Sequence, residues 1–309
     1  MPSPADTGTR RERIQETRTL PQTLQPESAP IQQSLFRFVS ELARELSVGR
    51  VDLPSFPDVA ARVQQILSDE AVTGERIARV ISSDAGLAAR ILTMANSTLL
   101  HRGGSRVTDL KLAVTRIGHE NIRTAALAYA TAQLRRAAEL SHIRGKLDNC
   151  WRQGVRVAAL AHAMAKESKR VRTDEAMLAG LLHNIGKIYI IARTPRDQID
   201  SFSDDGEELR SWHPSIGQAL IENWKLGDEL ASAVGGQYEL DRTHAAPADL
   251  QDLLIVAVNV ATQMANNSAD DSALAQIPAA AALGLNDSAL IRIMLESQAE
   301  VEMLEAALG

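Results

Sequence analysis

Two adjacent polar side chains, His183 and Asn184, interrupt the apolar run LLHNIGK at Leu181–Lys187, and their chemistry sets the first question. An imidazole can ligate a metal or move a proton near neutral pH. The amide beside it carries no charge and only exchanges hydrogen bonds. Around the pair, Leu178, Leu181, Leu182, Ile185 and Tyr189 fall at i, i+3, i+4, i+7 and i+11, the spacing of a helix whose apolar stripe faces a core. At about 100° per residue, His183 and Asn184 point away from that stripe, on the side of Gly180 and Lys187, where a second packed surface must meet them. Polar groups placed there are expected to satisfy each other and nearby backbone. Lys187 reads as a snorkelling lysine.

Other chemistries lack a spacing signal. The single cysteine, Cys150, excludes an intramolecular disulfide and a multi-cysteine metal cluster. With Trp151 beside it and no identifiable base, it reads as a small packing residue. No Ser/His/Asp arrangement stands out. Gly103–Gly104 has neither a preceding strand nor the lysine spacing of a phosphate loop, and reads as an exposed turn. The basic run KESKRVR at Lys166–Arg172 reads as a solvated turn between helices.

The elements that must position the pair are helical throughout. Residues 1–30, with Pro2, Pro4, Pro21, Pro26 and Pro30 among polar neighbours, read as a disordered arm. A helix follows near Gln32–Leu46, then a stripe of Val59, Val63, Ile66 and Leu67. Thr73 and Asp84 are expected to cap two short helices, Asn96 and Ser97 to end the second, and Ile122–Leu134 to form another. A polar connection, Arg144–Asp148, precedes a helix at Trp151–Glu167. On it, Gln153 shares a face with Val157, Leu160 and Met164 and so points inward, whereas His162 lies on the neighbouring stripe as a core or boundary residue. His213 stands before Pro214, read as a first-turn proline of the helix at Ser211–Trp224. IPAAAALGL reads as a connector, and Asn286–Asp287 as the cap of a final helix that folds back on the core.

With 309 residues, 45% of them hydrophobic and 23% charged, the chain can bury a sizeable core. Its net charge of −6 argues against a nucleic-acid partner while leaving room for a local anion site. The first residues, MPSPADTGTRRERIQ, hold no apolar core for a secretory signal. The best membrane candidate, LLIVAVNVA at Leu253–Ala261, is about half of the roughly 18 residues a span needs and carries Asn259. A cytoplasmic protein is expected.

LLHNIGK resembles the LLHDIGK signature of the HD superfamily of metal-dependent phosphohydrolases. LPSFPDVAARV, SSDAGLAARILTMANS and LKLAVTRIGHENIR are similar, in order and spacing, to the HDOD branch of that superfamily, whose members are bacterial signalling modules. The resemblance implies an all-α, compact multi-helix bundle. It places an HDOD-like domain over 52–266, with a family-specific half at 52–148 and an HD-like half at 149–266, preceded by a helix and linker at 31–51 and followed by a connector and helix at 267–309. It puts the metal ligands at Gln153, His183, Asn184 and Thr262, the last within a residue or so, with Asn259 and Gln263 as alternatives. His213 matches a histidine heading the equivalent helix, Gln237 and Tyr238 stand where a histidine pair is common, and Lys187 would neutralise a phosphate in active relatives.

Of those ligands only His183 keeps its type. A hydrolytic site needs charge to hold a divalent cation and acidify its water, and neither carboxylate survives. The expectation is therefore a degenerate site with no metal, no cofactor and no catalysis, in a signal-transduction module acting through protein contacts. The resemblance implies partners such as response regulators, histidine kinases or enzymes that make and degrade cyclic dinucleotides. The alternative is a receptor for a nucleotide or other small anion, with Lys187, Arg152 or Arg170–Arg172 supplying charge; an active phosphohydrolase ranks last.

Overall fold

A computed structural model describes residues 28–51, 58–69, 71–97, 106–201, 206–245, 247–266 and 276–308, and the regular structure among them is helical throughout. The first part carries α1 (Ser28–Ser47), α2 (Asp58–Leu67), α3 (Gly74–Ile81), α4 (Ala85–Ala95) and α5 (Leu110–Arg136). The rest carries α6 (Arg144–Ser168), α7 (Thr173–Leu182), α8 (Ile185–Arg193), α9 (Glu207–Asn223), α10 (Asp228–Gly235), α11 (Leu250–Asn266), α12 (Pro278–Leu283) and α13 (Asp287–Leu308). Of the arm expected over 1–30, residues 28–30 already belong to α1, and 1–27 lie outside the described residues, as do the segment 52–57, Gly103–Gly104 and 267–275. Among those described, no helix is long and apolar enough to cross a membrane.

Local capping follows the side chains. Thr73 and Asp84 accept hydrogen bonds from the amides of Arg76 and Leu87 and start α3 and α4. Asn96 does more than end α4. Its Nδ2 donates to the carbonyls of Leu92 and Val107 while its Oδ1 accepts from the Val107 amide, tying the end of α4 to the approach to α5. Asn286 caps α13 through the Ala289 amide at 2.9 Å.

Two apolar cores meet along α6. Val63, Ile77, Ile81, Leu87, Ile91 and Ile122 build the smaller one from α2–α5. The larger one gathers α8–α12 and also takes Leu35, Val39, Leu42 and Leu46 of α1. On α6, Trp151, Val155 and Ala158 join the smaller core, whereas Val157, Leu160 and Met164 join the larger. That helix is consequently apolar on two sides. α7 crosses it closely: a Cβ at Gly180 would stand 2.5 Å from the Ala158 Cα, so only glycine permits the approach. α13 packs back on α6 and α4.

Several expected boundaries move. The central stretch is two helices: α7 ends at Leu182, α8 begins at Ile185, and His183 and Asn184 form the turn between them. The apolar stripe does not mark a single buried face there, because residues 176 to 192 are buried all round. α9 begins at Glu207 rather than near Pro214, so His213 and Pro214 lie inside it, where the proline supplies no amide hydrogen to the helix ladder. Arg144–Asp148 is the first turn of α6, α5 extends over Leu110–Arg136 with a kink at Gly118, and α12 occupies the expected connector.

Candidate functional site

The turn at His183–Asn184 forms the floor of a cavity of about 290 Å³ enclosed by α6, α8, α9 and α11. Gln153 on α6, His183 and Asn184 on the turn, Lys187 on α8, His213 on α9 and Thr262 on α11 all line it. Six of the candidates, spread over more than a hundred residues of chain, thus share one space.

The pair on the floor is fixed by backbone, not by mutual contact. His183 Nδ1 lies 2.7 Å from the Gly180 carbonyl oxygen, which can only accept, so the ring proton sits on Nδ1 and Nε2 is left as an acceptor. Asn184 Nδ2 donates to the Cys150 carbonyl at 2.8 Å, while its Oδ1 is buried without a hydrogen-bond partner. α9 closes over them at van der Waals limit: a Cβ at Gly186 would stand 2.0 Å from the His213 carbonyl oxygen. Gln237 is a correction to the candidate set. It is fully buried behind the cavity rather than lining it, and its Nε2 donates to the carbonyls of His183 at 2.8 Å and Val234 at 2.7 Å. Tyr238 lines the space, with its hydroxyl 3.0 Å from His213 Nε2.

Among the described residues, Arg156 on α6 and Arg210 on α9 join Lys187 in the lining, and no aspartate or glutamate appears there. Neither arginine was singled out by sequence. The signal was there in helical spacing, since Arg156 is i+3 from Gln153 and Arg210 is i−3 from His213, one turn away on the same face. Of the expected suppliers of charge, Lys187 is in the lining and the others lie elsewhere: Arg152 is exposed and bonded to Asn149, and Arg172 pairs with Asp174 at 2.7 Å. Burial, reinforced by Lys187 and opposed by the hydrogen bond that the His183 ring donates to the Gly180 carbonyl, pushes the His183 pKa down from 6.5 to about 4. Burial, with repulsion from His183 once that ring is protonated and from the cations of Lys187 and Arg210, holds His213 well below its ordinary range. Both imidazoles are neutral at neutral pH.

A divalent metal does not fit this donor set. A histidine with one free nitrogen, two neutral amides and the Thr262 hydroxyl, which donates to the Val258 carbonyl, supply no negative charge. Three cationic side chains oppose the ion. Among the described residues, His244, Asp249 and Asp252 also bring potential ligand atoms within 4.8 Å of one another. That group sits near the start of α11, about 15 Å along the helix from Thr262. Arg242 already occupies it, bonding Asp249 at 2.6 Å and Asp252, while His244 Nε2 lies 2.8 Å from the other Asp252 oxygen. It is a clasp for the loop that precedes α11.

An all-helical scaffold with a cavity between α6, α8, α9 and α11 defines the class. The family model for the HDOD domain matches residues 53–240, and the chain belongs to that family. Solved structures agree on the fold. An HDOD domain protein with unknown function from Geobacter sulfurreducens superposes with a TM-score of 0.61 at 19% identity, covering 90% of this chain and 99% of that one. A protein from Shewanella amazonensis SB2B, provisionally named a metal-dependent phosphohydrolase, gives 0.59 at 23% identity over 87% of this chain and 99% of its own. A second protein of that organism, provisionally named a phosphohydrolase, gives 0.59 at 22% identity over 89% and 98%. No curated protein matches the chain significantly in sequence.

Proposed function

We propose that the chain is a non-catalytic signal-transduction module that keeps an HD-type scaffold for recognition and acts through contact with another signalling protein, such as a response regulator, a histidine kinase or a cyclic-dinucleotide enzyme. The observation that carries this reading is the lining of the cavity, where Gln153, Asn184 and Thr262 occupy the expected ligand positions and Arg156, Lys187 and Arg210 surround them. A hydrolytic site of the HD type would draw its nucleophile from a cation-bound water, and this lining repels the cation. Output must then come from shape and surface.

The test is metal content and turnover measured together on the full chain. Purified protein is expected to hold no stoichiometric transition metal and to leave phosphomonoesters and phosphodiesters intact. The double variant Gln153→His with Asn184→Asp restores one imidazole and one carboxylate, and should raise metal uptake above that of either single variant. Stoichiometric metal together with hydrolysis in the unaltered protein would reject the proposal.

A further inference from the structure

We infer that the outward face of α13 pairs with the same face of a second copy of this chain, antiparallel, about a two-fold axis at Leu295. The pairing goes beyond the metal-free reading of the cavity and does not depend on it. α13 is apolar on two opposite sides. Leu290, Ile293 and Leu304 are buried against the cores, whereas Ile291, 40% exposed, and Leu295, 78% exposed, stand with the exposed Ala299 on the other side. At about 100° per residue, Ser288, Ile291, Leu295, Gln298, Ala299 and Glu302 share an arc of about 100°, opposite the buried stripe. A helix that covers a core with one face ordinarily presents charge on the other.

Charge selects what covers that stripe. Arg292 pairs with Glu167 at 2.6 Å, near the end of α6, and Leu304 lies in the smaller core with Trp151, in the first half of α6, so α13 runs antiparallel along that helix. The basic end of α6 and the turn after it, with Lys166, Lys169 and Arg170 exposed, therefore flank the first two turns of α13, where its one basic residue, Arg292, also lies. The second half of α13 is acidic. Glu296 and Glu302 are exposed there, and the last turn carries no basic residue to complement the helix dipole. Parallel copies would set acid against acid and base against base. Antiparallel copies crossing at Leu295 bring Ile291 against the small Ala299 of the second copy, and carry Glu302 about 10 Å past the axis, level with the second copy's Lys169 and Arg170. Each contact then occurs twice, as a two-fold interface requires.

The experiment is sedimentation velocity of the full chain over a concentration range of roughly 1–200 μM, wide enough to register a micromolar dimer. A concentration-dependent shift from monomer to dimer is expected. Leu295→Lys sets two like charges face to face across the axis and should weaken the dimer about tenfold or more, while its thermal midpoint at low concentration stays near that of the parent, because the side chain is exposed. Glu302→Lys should weaken pairing as well, and adding Lys169→Glu and Arg170→Glu to the same chain should restore it. A chain that stays monomeric throughout overturns the proposal and leaves the face to a partner of different sequence. A dimer that withstands Leu295→Lys overturns the assigned surface. Charge reversal that fails to restore pairing overturns the antiparallel arrangement.

Discussion

At the scale of single residues, burial has made His183 a neutral hydrogen-bonding group, and that has a measurable consequence. Its pKa is lowered from 6.5 to about 4 in the fold, so between those values the unfolded chain binds a proton that the folded chain refuses. Stability is therefore full above about pH 6.5 and falls as pH drops toward 4, by on the order of 3 kcal/mol from this residue. His213 acts in the same direction. In urea unfolding across that window, His183→Gln should show a shallower loss of stability than the parent; equal slopes would show that His183 is not held neutral. Sequence made these residues legible because their identities depart from a known pattern at fixed positions, Asn184 after His183 and Gln153 two residues after Trp151. Arg156 and Arg210 gave no such departure. An arginine one helical turn from a pocket residue looks like any solvated side chain until the partner helices close over it, which is a tertiary fact.

At the scale of elements, periodicity identified helices well and placed their ends poorly. The stripe through Leu178, Leu181 and Ile185 reads as one helix because both sides of the chain are buried, and an apolar pattern cannot mark a turn inside the core. Pro214 misplaced the start of α9 for a related reason, since a favoured first-turn residue was also tolerable within the helix. The capping side chains Thr73, Asp84 and Asn286 were readable, because their hydrogen bonds are local. What fixes the turn at His183–Asn184 is the contact of α8 with α9. A methyl at Gly186 would stand 2.0 Å from the His213 carbonyl oxygen and 2.6 Å from the Gly217 amide nitrogen, both backbone atoms that cannot step aside alone. Gly186→Ala should cost about 3 kcal/mol through overpacking and lower the denaturation midpoint. Gly145→Ala, where nothing lies within 4 Å of the added carbon, should cost nothing. Equal midpoints for the two variants would mean that α8 and α9 are not in close contact.

Over the whole molecule, the matched segment 53–240 does not close its own core. α1 lies before that segment, yet Leu35, Val39, Leu42 and Leu46 are buried in the larger core, the Asn223 side chain donates to the Leu46 carbonyl at 3.1 Å, and Arg193 pairs with Glu45 at 3.0 Å. α6 and α7 in turn contribute to both cores, so loosening one removes packing from the other. We therefore expect a perturbation at α1 to be felt beyond the larger core that it covers. Leu42, 1% exposed, is the sharpest place to apply it, and Leu42→Ala should cost about 2–5 kcal/mol. Trp151 belongs to the smaller core, whereas Trp212 and Trp224 pack on the larger, so single-tryptophan variants report on the two separately. If the cores form one cooperative unit, Leu42→Ala lowers the urea midpoint seen by Trp151 as much as that seen by Trp224. A midpoint that falls for Trp224 and stays put for Trp151 would divide the molecule at α6 and confine the influence of α1 to the half that holds the cavity.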